Sequence, residues 1–178
     1  MKPARSLAEQ LLAQSRHLAE QDPRKPVQAN LRRSVSAAYY ALFHLLASES
    51  ARRIGGSAAR EKPLRQSLAR VFQHRQMKEV CKWFTGGAGA LPDYLKTLPQ
   101  LKTVSAQLQL VAKAFVELQE KRHLADYSVA TPFVRTDAIQ LVSLAEAAFA
   151  NWKNTRKSGA AEVFLLLLLL GDSMKPRG

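Results

Sequence analysis

Two stretches of this 178-residue chain concentrate the side chains that can do chemistry. In the first, Arg33, Ala37, Tyr40 and His44 follow steps of four, three and four. On a helix that spacing lines up a cation, a phenol and an imidazole along one side. Such side chains serve either as core-edge residues with satisfied polar tips or as the wall of a polar site or subunit interface. In the second stretch, Lys121-Arg122-His123-Leu124-Ala125-Asp126-Tyr127, Arg122 and Asp126 stand four apart. They can pair if a helix persists that far. Asp126 also suits the cap of a turn, and Tyr127 an anchor of a helix end to the core.

Other reactive types carry less. The one cysteine, Cys81, sits beside Lys82 and is either a reactive thiol or a small buried apolar residue. A single thiol excludes an intrachain disulfide and a zinc site built on several thiolates, and it fits a reducing cytoplasm. No metal or cofactor is expected. The Gly86-Gly87-Ala88-Gly89 run follows neither phosphate-cradle pattern and reads as a loop.

The elements that must position these residues are helical throughout. Leu31, Val35, Ala38, Leu42 and Leu45 form one apolar stripe of a long second helix, about residues 27–53, stopped by Gly55-Gly56. Before it, residues 6–20 predict a first helix, with Ser6 and Glu9 as a capping box and Leu7, Leu11, Leu12 and Leu18 as its apolar face. Pro63 suits the first turn of a third helix whose apolar side is Leu64, Leu68, Val71 and Phe72, continued by residues 77–84. Leu101, Val104, Leu108, Val111, Phe115 and Leu118 give the cleanest periodicity, predicting a fourth helix over about 100–122 that the chain then leaves. A fifth helix follows over about 137–154, capped by Thr136, burying Ile139, Val142, Leu144, Ala145, Phe149 and Trp152. The expected fold is all-α, an antiparallel bundle of about five helices over residues 1–157. Residues 158–178 stand apart. Val163-Phe164 and six leucines lack a polar face, which leaves a docking helix, a dimer contact or a frayed tail open. The apolar run is too short for a bilayer, which needs about 20 residues.

Lys and Arg number 27 against 14 Asp and Glu, a formal net charge of +13. That excess selects a polyanionic partner, nucleic acid or an acidic protein, over a generic solubilising surface.

The run Arg32-Arg33-Ser34-Val35-Ser36-Ala37-Ala38-Tyr39-Tyr40-Ala41-Leu42-Phe43-His44 resembles the long-helix signature of the HEPN superfamily, the higher eukaryotes and prokaryotes nucleotide-binding domains. Arg122-His123-Leu124-Ala125-Asp126-Tyr127 resembles the second marker of one subgroup, an Arg-x-x-Ala-Asp-Tyr segment closing a later helix. The resemblance implies a helical bundle, a homodimer, and RNA or nucleotide as ligand. It also implies a place in a toxin–antitoxin or defence system beside a small nucleotidyltransferase acting as antitoxin. It further suggests a polar cluster in which Arg122, His123, Asp126 and Tyr127 face Arg33, Tyr40 and His44 or their dimer mates. Many members of the superfamily are metal-independent ribonucleases with an Arg, four to six residues, then a His. RNA carries its own 2′-hydroxyl nucleophile, so a His to move the proton and an Arg to hold the phosphate suffice. Here the motif is broken: Tyr127 stands where the His belongs, and no Arg has a His five to seven positions later. A phenol with a pKa of about 10 is a poor base at neutral pH. Binding by Arg33, Tyr40, His44 and Asp126 is therefore expected before cleavage. The alternatives are a ribonuclease with a variant site at Arg122, His123 and Tyr127, and a non-catalytic adaptor for an acidic protein.

Overall fold

Every regular element is helical in the computed structural model of the chain, which describes residues 5–22, 24–56 and 58–174. The chain ends at 1–4 and 175–178, and Ser57 in the expected polar connector, lie outside the described residues. The α-helices are α1 (Leu7–Glu20), α2 (Gln28–Gly55), α3 (Lys62–Ala69), α4 (His74–Phe84), α5 (Asp93–Lys96), α6 (Ala106–Tyr127), α7 (Arg135–Thr155) and α8 (Gly159–Leu170). Short 3-10 turns lie at Ala59–Glu61, Ala88–Ala90, Pro99–Leu101 and Gly171–Met174. The described residues thus hold eight α-helices where periodicity predicted about five. Breaks in the middle of the chain divide residues 62–96 into three helices, and the leucine run adds the eighth.

The chain forms two compact units: Met1–Leu45 with Ala114–Ala150, and Leu46–Lys113 with Asn151–Gly178. In the first unit, Leu31, Val35, Ala38, Tyr39 and Leu42 of α2 are buried, as are Phe115 and Leu118 of α6. The predicted stripe on α2 is therefore its buried face, except for Leu45, which is half-buried. α1 differs from expectation. Its capping box is present, with Ser6 Oγ accepting from Glu9 N at 3.2 Å and Glu9 Oε2 accepting from Ser6 N at 2.8 Å. Its buried face, however, is Ala8, Ser15 and Ala19, while Leu7 is exposed and Leu11, Leu12 and Leu18 are half-buried. Small residues let α1 lie close against α2, where Ser15 and Ser34 each donate a hydroxyl to the other's backbone carbonyl at 2.8 Å. These exchanged bonds satisfy two buried hydroxyls that would otherwise cost about 1–3 kcal/mol each.

α7 is shifted in the same sense. It begins at Arg135, ahead of Thr136, and buries Ala138, Leu141, Val142, Ala145 and Ala148; Ile139, Leu144 and Phe149 are only half-buried. Val142, Ala145 and Trp152 are buried as expected, while Ala138 and Ala148 were hidden by bulkier neighbours.

The second unit is centred on Phe84, Leu95, Leu101, Leu108, Val111, Trp152 and Phe164, all buried. Leu101 and Val104 belong to this core, but the helix itself starts at Ala106, because Ser105 Oγ accepts from Leu108 N at 3.2 Å and caps it. On α3, Leu64 and the following Val71 are exposed, so only Phe72 of that expected face is buried. The leucine run forms a helix. α8 buries Phe164, Leu165, Leu167 and Leu168, and the Phe84 and Phe164 rings meet edge-on at 4.9 Å. No helix among the described residues is long and apolar enough to cross a membrane.

Candidate functional site

The site lies in the first unit and depends on where α6 ends. The helix runs on through Arg122 and Asp126 to Tyr127, five residues past the expected exit. No glycine or proline interrupts that stretch, and its last carbonyls are capped from α2. The Arg32 guanidinium donates to the backbone carbonyls of Ala125 at 2.8 Å, Ser128 at 2.9 Å and Thr131 at 2.7 Å, with longer bonds to Val129 and Leu124. It also lies 5.7 Å from the Phe133 ring centre. One cation thus completes the helix end and holds the loop that follows. A second link joins the same segments, where Gln28 accepts from Phe133 N at 3.0 Å and donates to its carbonyl at 2.7 Å.

With α6 extended, residues four apart share one side of it. The Arg122 guanidinium lies 5.2 Å from the Tyr39 ring centre and 5.5 Å from that of Tyr40, and its Nε stands 3.5 Å from Asp126 Oδ2. The Arg122 side chain is only 11% exposed. Stacking on two rings and one nearby carboxylate offset the loss of hydration that such burial entails. Asp126 also accepts the Ser36 hydroxyl at 2.5 Å. Asp126 is therefore shared between α2 and its own helix.

Beside this cluster a groove of about 550 Å³ opens between α1, α2 and α6. Leu11, Leu18 and Ala125 give it apolar walls, and Arg33, Tyr40 and Asp126 give it polar ones. Two of the four leucines that periodicity placed on the buried face of α1, Leu11 and Leu18, instead border this groove. Arg33 is exposed and has no hydrogen bond or ion pair among the described residues. A cation, a half-buried phenol and a carboxylate around an apolar trough can take a ring on one side and an anionic group on the other.

The remaining predicted residues lie elsewhere. His44, one turn beyond Tyr40, is half-buried against the Phe43 ring at 5.4 Å and the Tyr40 ring at 6.4 Å, and does not line the groove. Burial holds its pKa below the usual histidine value. His123 and Tyr127 occupy a different side of α6; their rings face each other at 4.9 Å, and Tyr127 is 68% exposed. The structure therefore unites Arg33, Tyr40, Asp126 and, through the rings, Arg122. It sets His123 and Tyr127 apart as an outward pair.

Residue types and spacing singled out the neighbours of Arg32 and Ser36 but not these two. Their signal was present: Arg32, Ser36 and Tyr40 are spaced by four, so they share a side of α2 with the groove. Comparison with protein-family models, with curated proteins and with solved structures gives no match.

Proposed function

We propose that this chain is a HEPN-like module that binds RNA or a nucleotide and does not cleave it. The observation that carries this reading is the groove in the first unit. Its one unengaged cation, Arg33, borders an apolar trough that Tyr40 of the same helix and Asp126 of α6 also line. A base fits against the trough and the Tyr40 edge, and the Arg33 fork suits a phosphate. The formal net charge of +13 supplies the long-range attraction.

Two features favour binding over catalysis. Arg122, the arginine of the second family marker, is committed to Tyr39, Tyr40 and Asp126, which leaves its fork turned inward. His123 stands on another side of α6, facing Tyr127. A metal-independent cleavage site needs a base and a phosphate-holding cation at one reacting phosphate. The resemblance to HEPN domains also suggests a homodimer in a toxin–antitoxin setting, with a nucleotidyltransferase-type antitoxin as partner, and the single cysteine fits a cytoplasmic location.

The test is fluorescence anisotropy with short single-stranded RNA, run beside incubation with total RNA in EDTA. Binding without cleavage, weakened several-fold by Arg33→Gln, is the expected result. Cleavage by the wild type that Arg122→Ala abolishes would install the variant ribonuclease instead. Absence of salt-dependent RNA binding, with capture of an acidic protein, would favour the adaptor reading.

A further inference from the structure

The second unit holds a cluster of cations that its own structure compensates only in part. An open cup of about 350 Å³ is bordered by Arg52 and Arg53 near the end of α2, by Arg156 and Lys157 just past α7, and by Leu165 of α8. Glu49 is the one carboxylate among its lining residues. Like charges gathered this closely repel, so their placement needs a compensating anion.

The protein supplies only part of that compensation. Glu49 is mostly buried, and Trp152 Nε1 donates to its Oε2 at 3.3 Å. Its two oxygens face Arg52 Nη1 and Arg156 Nη1, each at 3.7 Å. Those separations give attraction without a hydrogen bond. Among the described residues neither guanidinium donates a side-chain hydrogen bond to the protein, and Lys157 has no partner at all. Arg53 is paired with Glu162 of α8. Other arginines of the chain do fill donors within the protein: Arg32 on α6, Arg135 on the carbonyls of Gln21 and Asp22, and Arg65 on those of Gly56 and Ala58. In the cup, a carboxylate fixed by Trp152 aims two planar forks while leaving their donors unfilled.

We infer that this cup binds a phosphate of a nucleic-acid backbone, as a contact separate from the groove in the first unit. Two guanidiniums and an ammonium match the several acceptor oxygens of a phosphodiester, and the cup has room for the sugar attached to it. The inference rests on the reading of the chain as an RNA-binding module, but on different residues.

The chain has two tryptophans, and the Trp152 indole N–H reports on Glu49 directly. Titrating the 15N-labelled full chain with a single-stranded oligouridylate should move the Trp152 indole resonance saturably and the Trp83 resonance much less. In anisotropy, Arg52→Gln with Lys157→Gln should lower the slope of log affinity against log salt by about 0.7 for each phosphate no longer neutralised. Lys153→Gln, an exposed lysine on α7 outside the cup, removes charge without touching the site. Its slope should stay near that of wild type. Lys157→Gln alone breaks no interaction within the protein, so it keeps the comparison valid if the double variant folds poorly. Retained RNA binding with an unmoved Trp152 signal, and equal effects of Lys157→Gln and Lys153→Gln, would overturn the cup and leave the groove standing. RNA binding that Arg33→Gln leaves intact but the cup variants weaken would do the reverse. A wild type that binds no RNA overturns both, and a Trp152 shift with an acidic peptide alone would assign the cup to a protein partner.

Discussion

Replacing Arg32 with alanine should destabilise the first unit by about 2–4 kcal/mol. Its guanidinium makes three bonds of 2.7–2.9 Å to backbone carbonyls at the end of α6. Hydrogen bonds to a charged group contribute about 1.5–3 kcal/mol each, so three give roughly 4.5–9 kcal/mol before discounts. Freeing the arginine side chain returns up to about 2 kcal/mol of rotamer entropy. Water can also replace the donor at Ser128 and Thr131, which are half-buried, but less readily at Ala125, which is buried. Arg32→Lys keeps the charge but loses the fork, and should recover less than half of the loss. The neighbouring Arg33→Ala, which breaks no internal bond, should change stability by under about 0.5 kcal/mol. Urea unfolding followed by circular dichroism measures all three, and amide exchange should show residues 124–131 losing protection first in Arg32→Ala. An Arg32→Ala variant within about 0.5 kcal/mol of Arg33→Ala would refute the view that this side chain ends the helix.

Three further outcomes are expected. Because burial lowers the His44 pKa, the folded state binds that proton less readily than the unfolded chain does. Stability should therefore fall as pH drops below about 6.5, and His44→Gln should flatten that part of a urea-midpoint profile between pH 7.5 and 5.5. Burial pushes the Cys81 thiol well above its ordinary pKa, so iodoacetamide should label it orders of magnitude more slowly in native protein than in denaturant, as mass spectrometry would record. Gly171 has φ +52°, and a Cβ there would stand 2.6 Å from Gln76, so Gly171→Ala should cost about 1 kcal/mol or more in thermal unfolding. Gly89 meets nothing within 4 Å, so Gly89→Ala should be close to neutral.

Periodicity made the all-helical class legible, together with the buried faces that large residues mark. The α2 stripe and the run from Leu101 to Leu118 are buried as their spacing predicts, apart from Leu45. Where small residues do the packing, the signal inverted. On α1 the leucines caught the eye, yet Ala8, Ser15 and Ala19 lie inside. On α7 the same holds for Ala138 and Ala148, whereas Ala145 is buried as its spacing predicts. An alanine has too little apolar surface to stand out in a periodicity, although it decides how close two helices can come. The end of α6 was misplaced for another reason. Its cap is Arg32, ninety-odd residues earlier in the chain, and no local rule for helix ends can see a donor that folding alone brings there. The site was half legible on that account. The four-residue spacings that join Arg122 to Asp126 and Ser36 to Tyr40 were present, whereas their union required α6 to run its last turn.

The leucine helix α8 separates two tasks that most helices perform with the same side chains. Six consecutive leucines adhere to a core in almost any rotation, since each side of the helix offers the same surface. What distinguishes one setting from the next is polar. Glu162 meets Arg53, the Leu165 carbonyl accepts from Ser50, and those of Leu168 and Leu169 accept from Gln76 at 3.2 and 2.7 Å. Deleting a single leucine would leave the greasiness of the segment nearly unchanged while turning the residues beyond it by about 100° relative to these addresses. A leucine run that is uniform along its length thus has its orientation written in the polar groups of its neighbours, on α2 and α4.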